Sequence, residues 1–310
     1  MGAVVATGLL IGTTGCGASA TGEDVTSVAP PPVTAGHPPG TVTLPAGNDL
    51  AAAVKKTQDA ITAGGGAVLA TVDNAADAGV AGSTIPGNTV VIGGAPAVGL
   101  PMLRANQQAA AALPERYLLR QDASGAVSLV YNGTDYVAAV SGVVDLAATT
   151  PFATATSSVA DQASGSPGVH RSAPMIGVTP RGFLKTAAGN ATVPVTVTRL
   201  TTALAGTGET VVINQDLAAG SGEGGPALRA TQALLVSAPA FTAPLVSAAP
   251  TFGLELPLRF VIWLDATNTT QIGYVDVGVL AARHGLKTDD PNVVKLAAEC
   301  DRLAKIAAGT

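Results

Sequence analysis

Residues 254–286, LELPLRFVIWLDATNTTQIGYVDVGVLAARHGL, read as an apolar strand closed by Asp265, a short polar turn, a second strand ending at Tyr274 and a helix that stops near Gly285. The same pattern stands earlier at residues 113–143, LPERYLLRQDASGAVSLVYNGTDYVAAVSGV, with Ser124-Gly125 as the turn of its hairpin. The prolines at 114 and 257 and the tyrosines at 131 and 274 are both 143 residues apart. One unbroken offset across such landmarks marks a tandem duplication.

Outward from this stretch, Asp216 falls on Asp73, Ala238-Pro239 on Ala95-Pro96 and Pro244 on Pro101. Each copy opens on a short strand, Thr41–Leu44 or Phe183–Ala187, and continues into an amphipathic helix. Leu50, Val54 and Ile61 share one face of the first helix behind Asn48 or Asp49 as cap. Val193, Val197, Leu200 and Leu204 do the same behind Thr192, with Pro194 tolerated in the first turn. Apolar strands follow at Ala67–Val72 and Thr89–Ile92, with Asp73-Asn74 opening a loop between them. Closing helices are expected from Thr150-Pro151 and from Asp290-Pro291, the second burying Val293, Leu296, Cys300 and Leu303 along one face. These signals divide the chain into a leader at 1–16, a tether at 17–40, a first domain at 41–163, a linker at 164–181 and a second domain at 182–310.

Composition limits the function classes. Charged residues make up 12% and aromatics 3%, so the cores are built from small aliphatic side chains of the kind that GC-rich bacterial coding favours. A net charge of −5 argues against nucleic acid as a partner, because phosphate binding needs clustered Lys and Arg. Gly2–Ile11 is a short apolar run followed by GTTGCGAS, which looks like a bacterial lipoprotein signal with Cys16 as the lipidated residue, although Thr13 stands where Leu is usual and no Lys or Arg precedes the run. The alternative is a frayed, mildly apolar N-terminus. Residues 17–40 are Pro-, Gly-, Ser- and Thr-rich, and about 24 such residues span roughly 25–30 Å as a flexible tether. His37 in the tether and His170 in the linker read as unconstrained.

Ala238-Pro239, Leu256-Pro257-Leu258, Val261-Ile262-Trp263, Tyr274 and the run Leu280-Ala281-Ala282-Arg283-His284-Gly285-Leu286 resemble the domain of unknown function 302 family. The second copy carries the resemblance over about 100 residues. The first is similar more loosely, through Asp73, Pro96, Pro101, Pro114, Tyr131 and Asn132. The resemblance implies two α+β domains of β-α-β-β-β-β-α order, similar to the TATA-binding-protein fold, packed as a pseudo-dimer in a monomeric chain. It implies no biochemical activity. The family's Asp-His pair after the second strand is replaced by Asp73-Asn74 and Asp216-Leu217, so neither copy keeps the histidine.

Candidate site residues follow from symmetry and strand alternation. Asp73 and Asp216 each leave an apolar strand, either as paired carboxylates in a shared cleft or as caps of the loops they open. In the Leu-Pro strands, Leu258, Phe260, Ile262 and Leu264 (Tyr117 and Leu119 in the first copy) are expected to meet the helices. Arg259, Val261 and Trp263, with Arg116, Leu118 and Arg120, then form a mixed face for a ligand or partner. Arg116 and Arg259 suit either an anionic group or a structural role covering the sheet. Tyr131 and Tyr274 read as core tyrosines and His284 as a helix-end residue. No nucleotide-loop, hydrolase-elbow or zinc-protease motif occurs, and the two cysteines and three histidines show no metal spacing, so neither cofactor nor metal is expected. The leading expectation is an exported, lipid-anchored envelope protein that binds a small molecule or another envelope protein; the alternative is an envelope hydrolase or isomerase using Asp73 and Asp216. Replacing Cys16→Ala is expected to move the protein from the membrane to the soluble fraction, and equal partition of the two forms would reject anchoring.

Overall fold

The computed structural model describes residues 36–222 and 225–310. The expected leader, its Cys16 and most of the tether lie outside the described residues. Each copy builds a five-stranded antiparallel sheet. In the first, β1 (Thr41–Pro45), β2 (Ala67–Asp73), β3 (Asn88–Gly94), β4 (Arg116–Gln121) and β5 (Val127–Asn132) run in the order β1-β5-β4-β3-β2. In the second, β6 (Leu184–Ala188), β7 (Thr210–Asp216), β8 (Thr231–Ser237), β9 (Leu258–Leu264) and β10 (Thr270–Val275) repeat it as β6-β10-β9-β8-β7.

Helices α1 (Leu50–Ala63) and α5 (Leu146–Ser164) cover one face of the first sheet, and α6 (Val193–Ala203) and α9 (Pro291–Ala308) the matching face of the second. Between them lie α2 (Asn74–Val80), α3 (Pro96–Ala105), α4 (Thr134–Ser141), α7 (Pro239–Ala248) and α8 (Val277–Arg283). Strand alternation sorts the side chains as expected. Tyr117, Leu119, Leu129 and Val91 pack on Ala53, Ala60, Ile61 and Ala160 of the helices. Asp49 caps α1, Cys300 is buried, and the Tyr131 hydroxyl meets His170 Nδ1 at 2.9 Å while that of Tyr274 donates to Asp301.

Four expectations are corrected. Asp73-Asn74 opens a helix, α2, because the Asp73 carboxylate accepts the Ala75 and Ala76 N–H groups and nothing downstream breaks the turn. Helix α5 starts before Thr150-Pro151, where Asp145 accepts the Ala147 N–H at 2.9 Å. The end of the tether is part of the domain: Pro38, Pro39 and Gly40 are buried, and Thr41 Oγ1 donates to Pro38 O at 2.7 Å. The linker is tied down too, since Ala173 exchanges backbone hydrogen bonds with Gly40 and Thr41, and His170 is held by Tyr131 and Asp161.

The helix-free faces of the two sheets belong to the junction between the copies. Val90, Ile92, Leu118 and Val130 share one apolar cluster with Ile213, Ala233 and Leu235. Across these faces lie two short 3-10 segments, each from the opposite copy: Gln107–Ala111 over β8 and β9, and Pro250–Glu255 over β3 and β4. The mixed face proposed for an outside partner is therefore occupied by the other half of the chain, and Arg116, Arg259 and Trp263 are buried, with Arg120 half-buried.

At the centre, Arg116 donates to Leu254 O at 3.2 Å and to Pro257 O at 2.5 Å. Arg259 donates to Ala111 O at 2.7 Å and to Pro114 O at 2.6 Å. Every partner in one pair is the duplicated counterpart of a partner in the other, the contact pattern of a two-fold interface written into one chain. Planar guanidinium forks suit two convergent carbonyls in a way that a single ammonium does not. Replacing Arg259→Ala leaves both carbonyls and the surrounding charge unpaired, so a loss of ~3–5 kcal/mol is expected. Arg259→Lys should recover less than half of it. Urea unfolding followed by the fluorescence of Trp263, the single tryptophan, reads both.

Candidate ligand cleft between the copies

The junction is two-fold in its arginines but not at its edges. After β2, helix α2 packs onto α7 and fills the space between the copies, where Ser237 Oγ donates to Asp77 at 3.4 Å. After β7 the corresponding chain makes no helix. Asp216 still accepts the Ala218 and Ala219 N–H groups, but Gly220, at the position of Asp77, turns to φ 70° and the run ends. Where α2 would lie, against α3, a cleft of about 450 Å³ remains. That volume is in the range of small-molecule sites.

The walls of this cleft are Leu69, Pro96, Leu100, Leu103, Leu113 and Pro114, and its polar side chains are Glu115, Gln215, Asp216 and Ser221. Among the described residues, no Lys, Arg or His lines it. Arg104, on α3, fixes the far wall by donating to Ser221 O at 2.7 Å and Pro226 O at 3.1 Å. Glu115 is the unusual member. It precedes β4, is 8% exposed, and lies so close over Gly94 that a Cβ there would meet its carboxylate. Among the described residues, no donor but its own backbone N–H reaches that carboxylate. Burial pushes Glu115 up to about 7, against the pull of that N–H and of the Arg259 guanidinium. The second copy has Leu258 in place of Glu115 and Ser237 in place of Gly94, so the buried acid occurs only where the cleft is open.

Of the expected carboxylate pair, Asp216 lines the cleft and Asp73 does not; the structure brings Asp216 to the same cleft as Glu115 instead. Both aspartates cap the turns that follow them. Trp263 lies against Gly273 inside the second sheet, away from the cleft. Arg120 keeps a sealed Nε without a partner, as do Arg116 and Arg259.

A family model described as domain of unknown function DUF302 matches residues 41–162 and again residues 185–305. The chain belongs to the DUF302 family. Among solved structures it is similar to an uncharacterized conserved DUF302 protein from Bacillus stearothermophilus, at 20% identity and a TM-score of 0.35, covering 41% of this chain and 96% of that one. No curated protein matches it.

The second DUF302 copy also holds a buried polar network that the first lacks. Arg283 donates to Glu255 at 2.6 Å, to Asn132 Oδ1 at 2.7 Å and to Pro39 O at 3.0 Å, and its guanidinium stacks 3.5 Å above the Tyr136 ring. His284 lies between Thr251 Oγ1 and Glu255 Oε1, 2.9 Å from each. Burial alone would raise the Glu255 carboxyl, but Arg283 and the His284 hydrogen bond outweigh it and hold it well below the usual range. Burial keeps His284 below its ordinary value despite Glu255, so the neutral ring donates from Nε2 to the carboxylate and accepts from Thr251. The arrangement looks like a catalytic triad. However, the ring is fully buried and the adjoining void is only about 20 Å³, so it acts as a clasp from the second copy onto the first.

Glu115 gives a pH signature. Its folded value of about 7 lies above the ordinary 4.5, so the folded state holds the proton more tightly and stability falls as pH rises through that window. The full loss is on the order of 3 kcal/mol. Glu115→Gln is expected to match the wild type near pH 5 and to exceed it by ~1–3 kcal/mol at pH 8 in urea unfolding. A constant difference across that range would show that the carboxyl is not desolvated.

Proposed function

We propose that this DUF302 pair is a small-molecule binding module of the bacterial cell envelope, held to the membrane through lipid at Cys16. The observation that carries the binding role is the one-sided junction: a duplicated fold fills one inter-copy cleft with α2 and leaves the other open, with a buried acid at its base. A group that is costly to bury, in a cavity of ligand size, is a mark of a functional site. The apolar run and GTTGC of the N-terminus support the location and the lipid at Cys16; no helix among the described residues is long and apolar enough to cross a membrane.

A thermal-shift screen of the intact chain against envelope metabolites tests the binding role. At least one compound is expected to raise the melting midpoint. Ala219→Trp, which puts a ring into the cleft from an exposed lining position, is expected to abolish that shift while leaving the unliganded midpoint within about 2 °C. A screen in which nothing stabilises the wild type, or in which the shift survives Ala219→Trp, would overturn the assignment to this cleft.

A further inference from the structure

We propose that the occupant of the cleft is a protonated organic amine with a compact apolar body, and that Glu115 is its counter-ion. This rests on the cleft being the binding site. Among the described residues, its polar side chains are two carboxylates, an amide and a hydroxyl, and no cationic side chain lines it. An anionic ligand would meet Glu115 and Asp216 with no cation among the described lining residues to offset them. A neutral one would leave the Glu115 carboxylate desolvated and without a strong donor. An ammonium group supplies up to three donors to an oxygen pair that has only its own backbone N–H, in the geometry of a charge-assisted hydrogen bond.

The duplication provides an internal control. At the position of Glu115 the second copy carries Leu258, buried at 5% exposure in the same strand register, so the fold packs an apolar side chain there without difficulty. The acid is thus not demanded by the sheet, and Gly94 beneath it opens room for the carboxylate specifically. A bare metal cation suits the site poorly. Calcium seeks six to eight oxygens and magnesium an octahedral set, whereas here two carboxylates sit among leucines and prolines. Leu69, Leu100, Leu103 and Leu113 would cover the hydrocarbon part of an amine, with Asp216 a second acceptor on the opposite wall.

Charged and titratable groups around Glu115 are Arg259 from β9, Arg116 and Tyr117 on β4, Tyr131 on β5 and Asp216 across the cleft. Burial lowers Arg259 only to about 10 and raises both tyrosines, so those three hold their charge state through neutral pH. An amine should therefore bind the ionised Glu115 and lose about tenfold in affinity per pH unit below about 7.

The test uses the full chain and a matched set of probes, hexylammonium, hexanol and hexanoate, by calorimetric titration. At pH 8 the ammonium is expected to bind at least about tenfold more tightly than the alcohol, and hexanoate not at all. Glu115→Gln is expected to bring the ammonium down to the affinity of the alcohol and to leave the alcohol unchanged. If the alcohol binds as tightly as the ammonium, or Glu115→Gln spares ammonium binding, the amine assignment fails and the cleft reading stands. If none of the three binds, the amine assignment fails, and the wider screen with Ala219→Trp then decides the cleft separately.

Discussion

The structure depends on two guanidinium groups that cross between the copies. Each donates to one carbonyl in the last turn of the opposite 3-10 segment and to one just past its end, and those segments are what cover the otherwise naked faces of the sheets. Carbonyls in a tight turn before a strand have no ladder partner of their own, so burying them against a sheet demands a donor. Arginine can serve two at once and its stem adds to the apolar seal. Burial, and after it the repulsion of the nearby Arg259, pulls Arg116 well below its ordinary value. Glu255 offsets that field for both arginines, which explains a buried carboxylate so close to the junction.

A small-residue chain gains from this arrangement. With aromatics at 3%, no single large side chain dominates the cores, and each sheet has one face that its own helices cannot reach. Pairing within one polypeptide covers both faces while removing the cost of finding a partner at low concentration. It also frees the two copies to differ. The clasp of Glu255, Arg283 and His284 exists in one copy, where the other has Ala112, Val140 and Ser141; helix α2 exists in the other, where its counterpart is ended by Gly220. A dimer of identical chains would place either feature on both sides.

Much of this architecture was legible in the residues. The constant offset gives the duplication, and alternation assigns Tyr117 and Phe260 to the helix faces and Arg116 and Arg259 to the opposite ones, which the other copy covers in place of the expected ligand or partner. Their acceptors were not legible, because main-chain carbonyls leave no mark in a sequence. Helix α2 is not legible because Asp73-Asn74 suits a loop as well as a cap, and the decision falls to how the chain continues after the cap. Glu115 does not stand out in the sequence because a single acid after a proline reads as an ordinary strand entry. The available signal was comparative: Glu at 115 against Leu at 258, with Gly at 94 against Ser at 237, two coupled departures from symmetry at one place.

That coupling bears on what the asymmetry is for. If the open cleft were only a gap left by the loss of a helix, apolar residues at its base would be the stable outcome, since an unpaired buried carboxyl weakens the fold above neutral pH. Leucine at the duplicated site shows that such a base packs well. The chain instead keeps a destabilising acid and places beside it a glycine, where an added Cβ would strike the carboxylate. These features hold a carboxylate in reach of the cleft, with Arg259 near it but no side-chain donor on it among the described residues. A site kept in that condition is matched to a charge that arrives from outside, and stability is the quantity given up for it.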